Sequence, residues 1–252
     1  MNRIKKLLLI LAFLSVLIPS ISHALNFGEY LGAGSGTTKL LLHLNGNSTD
    51  SSGNANNGTD TAVTYGLAYG KFGQGASFSN ASGSEIAKST PTGIPTGSTA
   101  RTISLWMNPS ALPTTGQQFG IISYGSAATR QLFEFGYDFA TTPSDGFRIA
   151  TYADDLQSST VPSTGIWYNI IITYDGNVTL KLYINSVLDT TKTLGGTLNT
   201  GNTTIYVGRS ILATGRSYSG SLDEVIIENR AWSATDVQKY YTYAKGRFGI
   251  QR

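Results

Sequence analysis

Two carboxylates stand out for the company they keep. Asp50 lies in Asn45–Thr59, which reads Asn-Gly-Asn-Ser-Thr-Asp-Ser-Ser-Gly-Asn-Ala-Asn-Asn-Gly-Thr, a polar loop rich in oxygen acceptors and nearly free of apolar residues. Hard cations such as Ca2+ want several oxygen ligands that mix carboxylate, amide and backbone carbonyl groups. Asp50 and Asp223 are therefore the candidate calcium anchors, with a stabilising rather than a catalytic role. The competing reading is that Asp50 makes an Asx-turn, and that Asp223 caps backbone amides or pairs with Arg230.

A second constellation comes from strand alternation. In Gln131–Tyr137 the side chains of Phe133, Phe135 and Tyr137 share one face and Leu132 and Glu134 the other; in Gly146–Tyr152, Phe147 and Ile149 face inward and Arg148 and Tyr152 outward. If the two segments are neighbouring strands, Glu134, Arg148 and Tyr152 make a small polar and aromatic surface. Sugars need such a surface, because their rings present apolar C–H faces and hydroxyl edges. A cross-strand ion pair beside a neighbouring ring is the plain alternative.

Other chemistries fall away. The 252 residues contain no Cys, which removes disulfides, thiolate zinc sites, iron–sulfur ligation, a cysteine nucleophile and a bacterial lipid anchor. After the expected cleavage described below, His43 is the one histidine left, set in an apolar strand, so neither a Ser-His-Asp triad nor a histidine-rich metal centre is supported. The net charge of +3 includes Arg3, Lys5 and Lys6. Without them basic and acidic residues balance, and nothing draws the chain to a phosphate backbone or an anionic lipid surface. Nucleic acid is not an expected partner.

The elements that must position these residues are strands and turns. Only 13% of residues are charged and 29 are Gly, against roughly 25% charged and about 7% Gly in ordinary soluble domains. Short β-type runs are divided by Gly, Asn, Asp, Ser and Pro clusters. Strands are expected at Thr38–Leu44, Ala76–Phe78, Arg101–Asn108, Phe119–Tyr124, Gln131–Tyr137, Gly146–Tyr152, Trp167–Tyr174, Thr179–Ile184, Thr203–Val207 and Ser219–Asn229. Asp175-Gly176-Asn177 reads as a tight hairpin turn, and Asn185-Ser186 opens the next reversal. Helical periodicity occurs at Ser233–Tyr243, with Ser233 as cap and Asp236 three residues on. The N-terminus has a basic Asn2–Lys6, an apolar Leu7–Ile18 and a small-residue site at Ser22-His23-Ala24, the pattern of a secretory signal peptide cut before Leu25. The apolar run would extend about 18 Å as a helix against a hydrocarbon core of roughly 30 Å, too short for a span.

Several blocks in order resemble one family. Leu40-Leu41-Leu42-His43-Leu44, Asp50-Ser51-Ser52-Gly53-Asn54, Lys71-Phe72-Gly73-Gln74-Gly75-Ala76 and Thr102-Ile103-Ser104-Leu105-Trp106 lead to Ile166-Trp167-Tyr168-Asn169, Leu182-Tyr183-Ile184-Asn185 and Tyr218–Val225 with Asn229–Ser233. They resemble the laminin-G-like, pentraxin-like branch of the concanavalin A-like lectin/glucanase superfamily, over Thr38 to Tyr241. Tyr168-Asn169 and Asn185-Ser186 depart from that pattern, where the family has a His and an Asp-Gly turn. The resemblance implies an all-β, two-sheet antiparallel jelly-roll sandwich with one short C-terminal helix. It also implies that the strand carrying Asp223 returns beside the first strand, near Leu42–Asn45 and the polar loop, close to where related jelly rolls hold a structural calcium. Trp106 and Trp167 are expected between the two sheets, with sugar stacking as the minor alternative. The glucanase branch sets its carboxylates in a Glu-x-Asp-x-x-Glu motif; no such motif occurs here, and glycoside hydrolysis needs a carboxyl pair.

The expected organisation is a signal peptide at 1–24, a lead-in at 25–37, the jelly roll at 38–243 and a tail at 244–252. The expected function is a secreted or periplasmic, cell-surface binding or adhesion module, not an enzyme, with carbohydrate or an extracellular protein as partner. A structural surface component is the alternative, and a divergent glycoside hydrolase or lyase a more distant one.

Overall fold

The computed structural model describes residues 36–114, 116–139 and 146–248. The expected signal peptide, most of the lead-in and the last four residues lie outside the described residues. In chain order the strands are β1 (Thr38–Leu42), β2 (Thr59–Thr61), β3 (Thr64–Gly66), β4 (Gly75–Phe78), β5 (Glu85–Lys88), β6 (Arg101–Pro109), β7 (Gln117–Gly125), β8 (Leu132–Phe139), β9 (Gly146–Ala150), β10 (Leu156–Gln157), β11 (Tyr168–Tyr174), β12 (Thr179–Ile184), β13 (Val187–Thr193), β14 (Ile205–Val207) and β15 (Gly220–Glu228), followed by helix α1 (Ala234–Phe248).

These strands form two antiparallel sheets. An eight-stranded sheet runs β13-β12-β11-β6-β15-β4-β3, with β1 also paired to β15; a seven-stranded sheet runs β10-β9-β8-β7-β14-β5-β2. This is the expected jelly-roll sandwich. Its core follows from alternation: Ile103, Leu105 and Met107 of β6 and Ile170, Ile172 and Tyr174 of β11 meet Phe133, Phe135 and Tyr137 of β8 and Phe147 and Ile149 of β9. A slip of one residue in any of these strands would send that set outward. The expected hairpins are present. Asp175 Oδ1 accepts the amides of Asn177 and Thr179 at 2.8 and 3.0 Å, while Asn185 and Ser186 take φ of 51° and 68° between β12 and β13, the left-handed pair that a two-residue hairpin requires.

The eight-stranded sheet is also apolar on its outer side. Leu41, Ile171, Tyr183 and Ile226 pack there against Trp232, Val237 and Tyr240, and Phe72 and Trp106 pack against Ala244. This corrects the expected place of the tryptophans. Trp106 is buried, but under α1 on the back of the sheet, because it alternates with Ile103, Leu105 and Met107; its ring stacks on Tyr241 at 5.7 Å. Trp167 precedes β11 and lies half-buried in the same outer cluster. The helix begins as expected: Ser233 Oγ accepts the Asp236 amide at 3.1 Å, and Asp236 Oδ2 accepts the Ser233 amide at 2.9 Å, a reciprocal cap. It continues to Phe248 with Ala244 buried, so the first residues of the expected tail belong to the packed helix.

Candidate functional site

Among the described residues no helix covers the outer side of the seven-stranded sheet, which carries charge. Strands β8 and β9 are neighbours, as expected, with Glu134 opposite Ala150 and Gly136 opposite Arg148. Arg148 Nη2 lies 2.5 Å and Nε 3.1 Å from Asp155 Oδ2, and Nη1 lies 3.9 Å from Asp138. Asp138 also accepts from Gln118, whose own amide oxygen accepts from Arg216 at 2.7 Å. Farther along, Arg209 pairs with Glu85 at 2.5 Å and lies over the Tyr206 ring at 3.9 Å from its centroid. These links fix the guanidinium groups in place across much of the face.

Glu134 faces outward but is not available at the surface. It is 4% exposed and accepts a hydrogen bond of 2.5 Å from the Ser210 hydroxyl. The segment carrying Ser210 crosses the sheet at Gly120, where a Cβ would sit 2.3 Å from the Ser210 nitrogen; glycine permits that approach. Burial raises the Glu134 carboxyl above its ordinary range, against the Ser210 hydroxyl and the charges of Arg148 and Arg216, which pull it down. The ion pair on this face is accordingly Arg148 with Asp155 and Asp138, not Arg148 with Glu134.

Tyr152 lies beyond β9, in a turn, and is 44% exposed. Its φ is 68° and that of Ala153 is 149°, two successive non-glycine residues in a region that costs roughly 1–3 kcal/mol each. The turn is held by its own acids. Asp155 Oδ1 accepts the Thr151 amide at 2.8 Å while Oδ2 binds Arg148, and Asp154 lies 3.6 Å from Arg130 and 3.5 Å from Lys192. Asp155 was not singled out from the sequence; Thr151 and Asp155 four residues apart across a turn were the available signal.

The two expected calcium anchors have separate structural duties. Asp50 pairs with Leu42 in an isolated bridge. Its Oδ1 accepts the amides of Leu41 and Ser52, and its Oδ2 accepts the Asn56 amide and the Ser52 hydroxyl, all at 2.8 to 3.0 Å. Four donor hydrogens converging on one carboxylate do not suit a cation. The amides of the loop are spent likewise: Asn54 and Asn56 donate to Thr38, Lys39 and Thr92 carbonyls. Asp223 Oδ2 accepts the Lys71 and Phe72 amides at 2.8 Å, and its Oδ1 is buried without a partner among the described residues. Burial, with the adjacent Glu224, raises Asp223 to about 8, so near neutrality it is a largely protonated acid. Arg230 pairs instead with Glu228 and Asp236. His43 Nδ1 lies 2.9 Å from Glu224, whose φ of 50° marks the bulge in β15. Among the described residues no three His, Cys, Asp or Glu side chains are grouped to hold a metal ion.

The pattern of the laminin-G-like family described as the concanavalin A-like lectin/glucanase superfamily matches residues 80–238. The chain belongs to this superfamily. Glu134, Arg148, Tyr152 and Asp155 lie within the matched span, and Asp50 before it. Solved superfamily-like folds include domain 4 of AbnA, an extracellular GH43 arabinanase of Geobacillus stearothermophilus in complex with arabinotriose, at TM-score 0.62 and 20% identity over 80% of this chain and 96% of that one. The binding domain of Paraclostridial Mosquitocidal Protein 1 gives 0.66 and 18% over 82% and 52%, and that of botulinum neurotoxin serotype G gives 0.61 and 16% over 82% and 51%. The chain thus spans about half the length of the two toxin domains. No curated protein matches it. Among the described residues no helix is long and apolar enough to cross a membrane.

Proposed function

We propose that this superfamily member is a non-catalytic carbohydrate-binding module whose contact surface is the outer side of the seven-stranded sheet, centred on Tyr152 and Arg148. The observation that carries the reading is the Tyr152 turn, where an exposed ring is held in a left-handed conformation by Asp155, which at the same time orients the Arg148 guanidinium. Strain kept at one exposed aromatic points to use. An exposed ring and a fixed planar donor, both tied to Asp155 through one turn, are the groups that a pyranose or furanose face and its hydroxyls would meet. Domain 4 of AbnA, of similar fold, has been seen with arabinotriose, which makes neutral oligosaccharides the first ligands to try.

The carboxylates of this face support binding over hydrolysis. Asp138, Asp154 and Asp155 are each held by arginine, and Glu134, whose carboxyl burial pushes up, is capped by Ser210. Action outside the cytoplasm belongs to the same proposal and rests on the N-terminal pattern; mass spectrometry of exported protein beginning at Leu25 tests it. The binding test is a glycan array followed by calorimetry with arabinotriose and the array's strongest neutral ligand. Saturable binding that falls about thirty-fold in Tyr152→Ala, equivalent to about 2 kcal/mol, is the expected result. No saturable sugar signal would leave the structural surface component as the better reading, and release of reducing ends would mark an enzyme.

A further inference from the structure

The ion pairs of Arg148 belong to a longer row. Strands β9, β8 and β7 are consecutive in the seven-stranded sheet, with Arg148 opposite Gly136 and Asp138 opposite Gln118. Side chains link the three strands in turn. Asp155 and Asp138 hold the Arg148 guanidinium at 2.5 and 3.9 Å, the Gln118 amide donates to Asp138 at 3.2 Å, and Arg216 donates to the Gln118 carbonyl at 2.7 Å. Arg216 stands on the segment whose Ser210 lies against Gly120. Its own carbonyl accepts the Gly120 and Ser210 amides at 3.0 and 3.1 Å. The row thus crosses three strands and ends on a segment pinned to the last of them.

These groups are held in place and still open to a guest. Arg148, Asp138, Gln118 and Arg216 are all half-buried, and none of their side-chain nitrogens and oxygens is buried without a partner. The hydrogen-bonding capacity that the links leave over therefore meets solvent. Because each planar group is oriented by the next, little ordering is left to be done on binding. The charges balance, Arg148 and Arg216 against Asp138 and Asp155, which suits an uncharged guest. Hydroxyls can answer both kinds of group, since each donates and accepts. Neighbouring strands lie about 4.8 Å apart, close to the advance of a single residue along an extended oligosaccharide. From β9 to β7 the row accordingly sets about one planar group under each sugar residue, and Arg216 carries it past β7.

We propose that the row of Arg148, Asp138, Gln118 and Arg216 selects a neutral oligosaccharide of about three residues, lying across β9, β8 and β7, with Gln118 and Arg216 setting the preferred chain length. This rests on the proposed binding role of the Tyr152 surface and adds the length and direction of its ligand. Calorimetry of the purified protein with mono- to pentasaccharides of arabinose, and of the neutral sugar ranked first on the glycan array, tests it. Affinity should rise by about tenfold or more from mono- to trisaccharide and change by less than about threefold beyond it. Arg216→Met and Gln118→Leu should each cut that rise to about threefold or less. Lys239→Met, which removes a charge from an exposed position on α1, should preserve it. The inference is overturned if affinity does not rise with length, if it keeps rising to the pentasaccharide, or if the rise is the same in Arg216→Met, Gln118→Leu and Lys239→Met. In those cases a loss of binding in Tyr152→Ala would leave the Tyr152 reading standing. Absence of saturable binding in both series removes the two together.

Discussion

The two sheets turn unlike outer sides to their surroundings. On the eight-stranded sheet, Leu41, Trp106, Ile171 and Ile226 require cover, and α1 provides it with Val237, Tyr240 and Ala244. On the seven-stranded sheet the corresponding side is built of Arg148 with Asp138 and Asp155, and of Arg209 with Glu85, and no helix among the described residues covers it. Apolar side chains on the outside of a sheet commit that side to packing, whereas paired charges leave the opposite side open to a partner. Under the proposed function, stability and recognition fall on opposite layers, and substitutions in the two should separate.

The largest effect should come from the covered layer. Trp106→Ala removes a ring that is 2% exposed and lies under α1, and should cost about 3–5 kcal/mol in denaturant unfolding. If the cost were under about 1 kcal/mol, α1 would not be part of the core. The next effect is one of pH. Asp223 is raised to about 8 in the folded state against about 3.9 for a free aspartate, so the native chain binds the extra proton between these values. Its contribution is fully present below about pH 4 and is lost as pH rises through about 8, by a few kcal/mol. Asp223→Asn, which keeps an acceptor for the Lys71 and Phe72 amides, should flatten that slope and be the more stable protein at pH 8. An unchanged slope would mean that Asp223 is ionised at neutral pH.

On the open layer, Tyr152→Gly should raise stability by up to about 1 kcal/mol, because glycine enters the left-handed region freely, while oligosaccharide binding is lost. Loss of binding together with loss of stability would instead make Tyr152 a packing residue. The smallest effect concerns calcium. Because Asp50 already accepts four donors, chelator and added Ca2+ should leave the melting temperature the same within error; a clear rise with Ca2+ would restore Asp50 as a ligand.

Much of this contrast was legible in the sequence. All ten expected strands are present, with ends moved by one or two residues in most cases, because alternation and apolar runs mark buried strands well. The segments missed, β2, β3, β5, β10 and β13, are short or lie at or near sheet edges: Val187–Thr193 is an edge strand with only one paired side, and Thr59–Thr61 is exposed throughout. Neither leaves the apolar signature that burial imposes. The turn residues Asn185 and Ser186 were readable because their chemistry is local. The partners of Asp50 and Glu134 were not: which donors reach a carboxylate depends on loops meeting across the sheet, as Ser210 does over Gly120. The acid that ties Arg148 to the Tyr152 turn, Asp155, emerges only once the turn is folded.

The most direct test of the division between layers is a crystal structure of the protein with a neutral oligosaccharide selected in the binding screen. The account predicts a sugar ring against Tyr152 with a hydroxyl at hydrogen-bond distance from Arg148. A neutral sugar seated instead on the helix-covered side, with the Tyr152 ring bare, would contradict it.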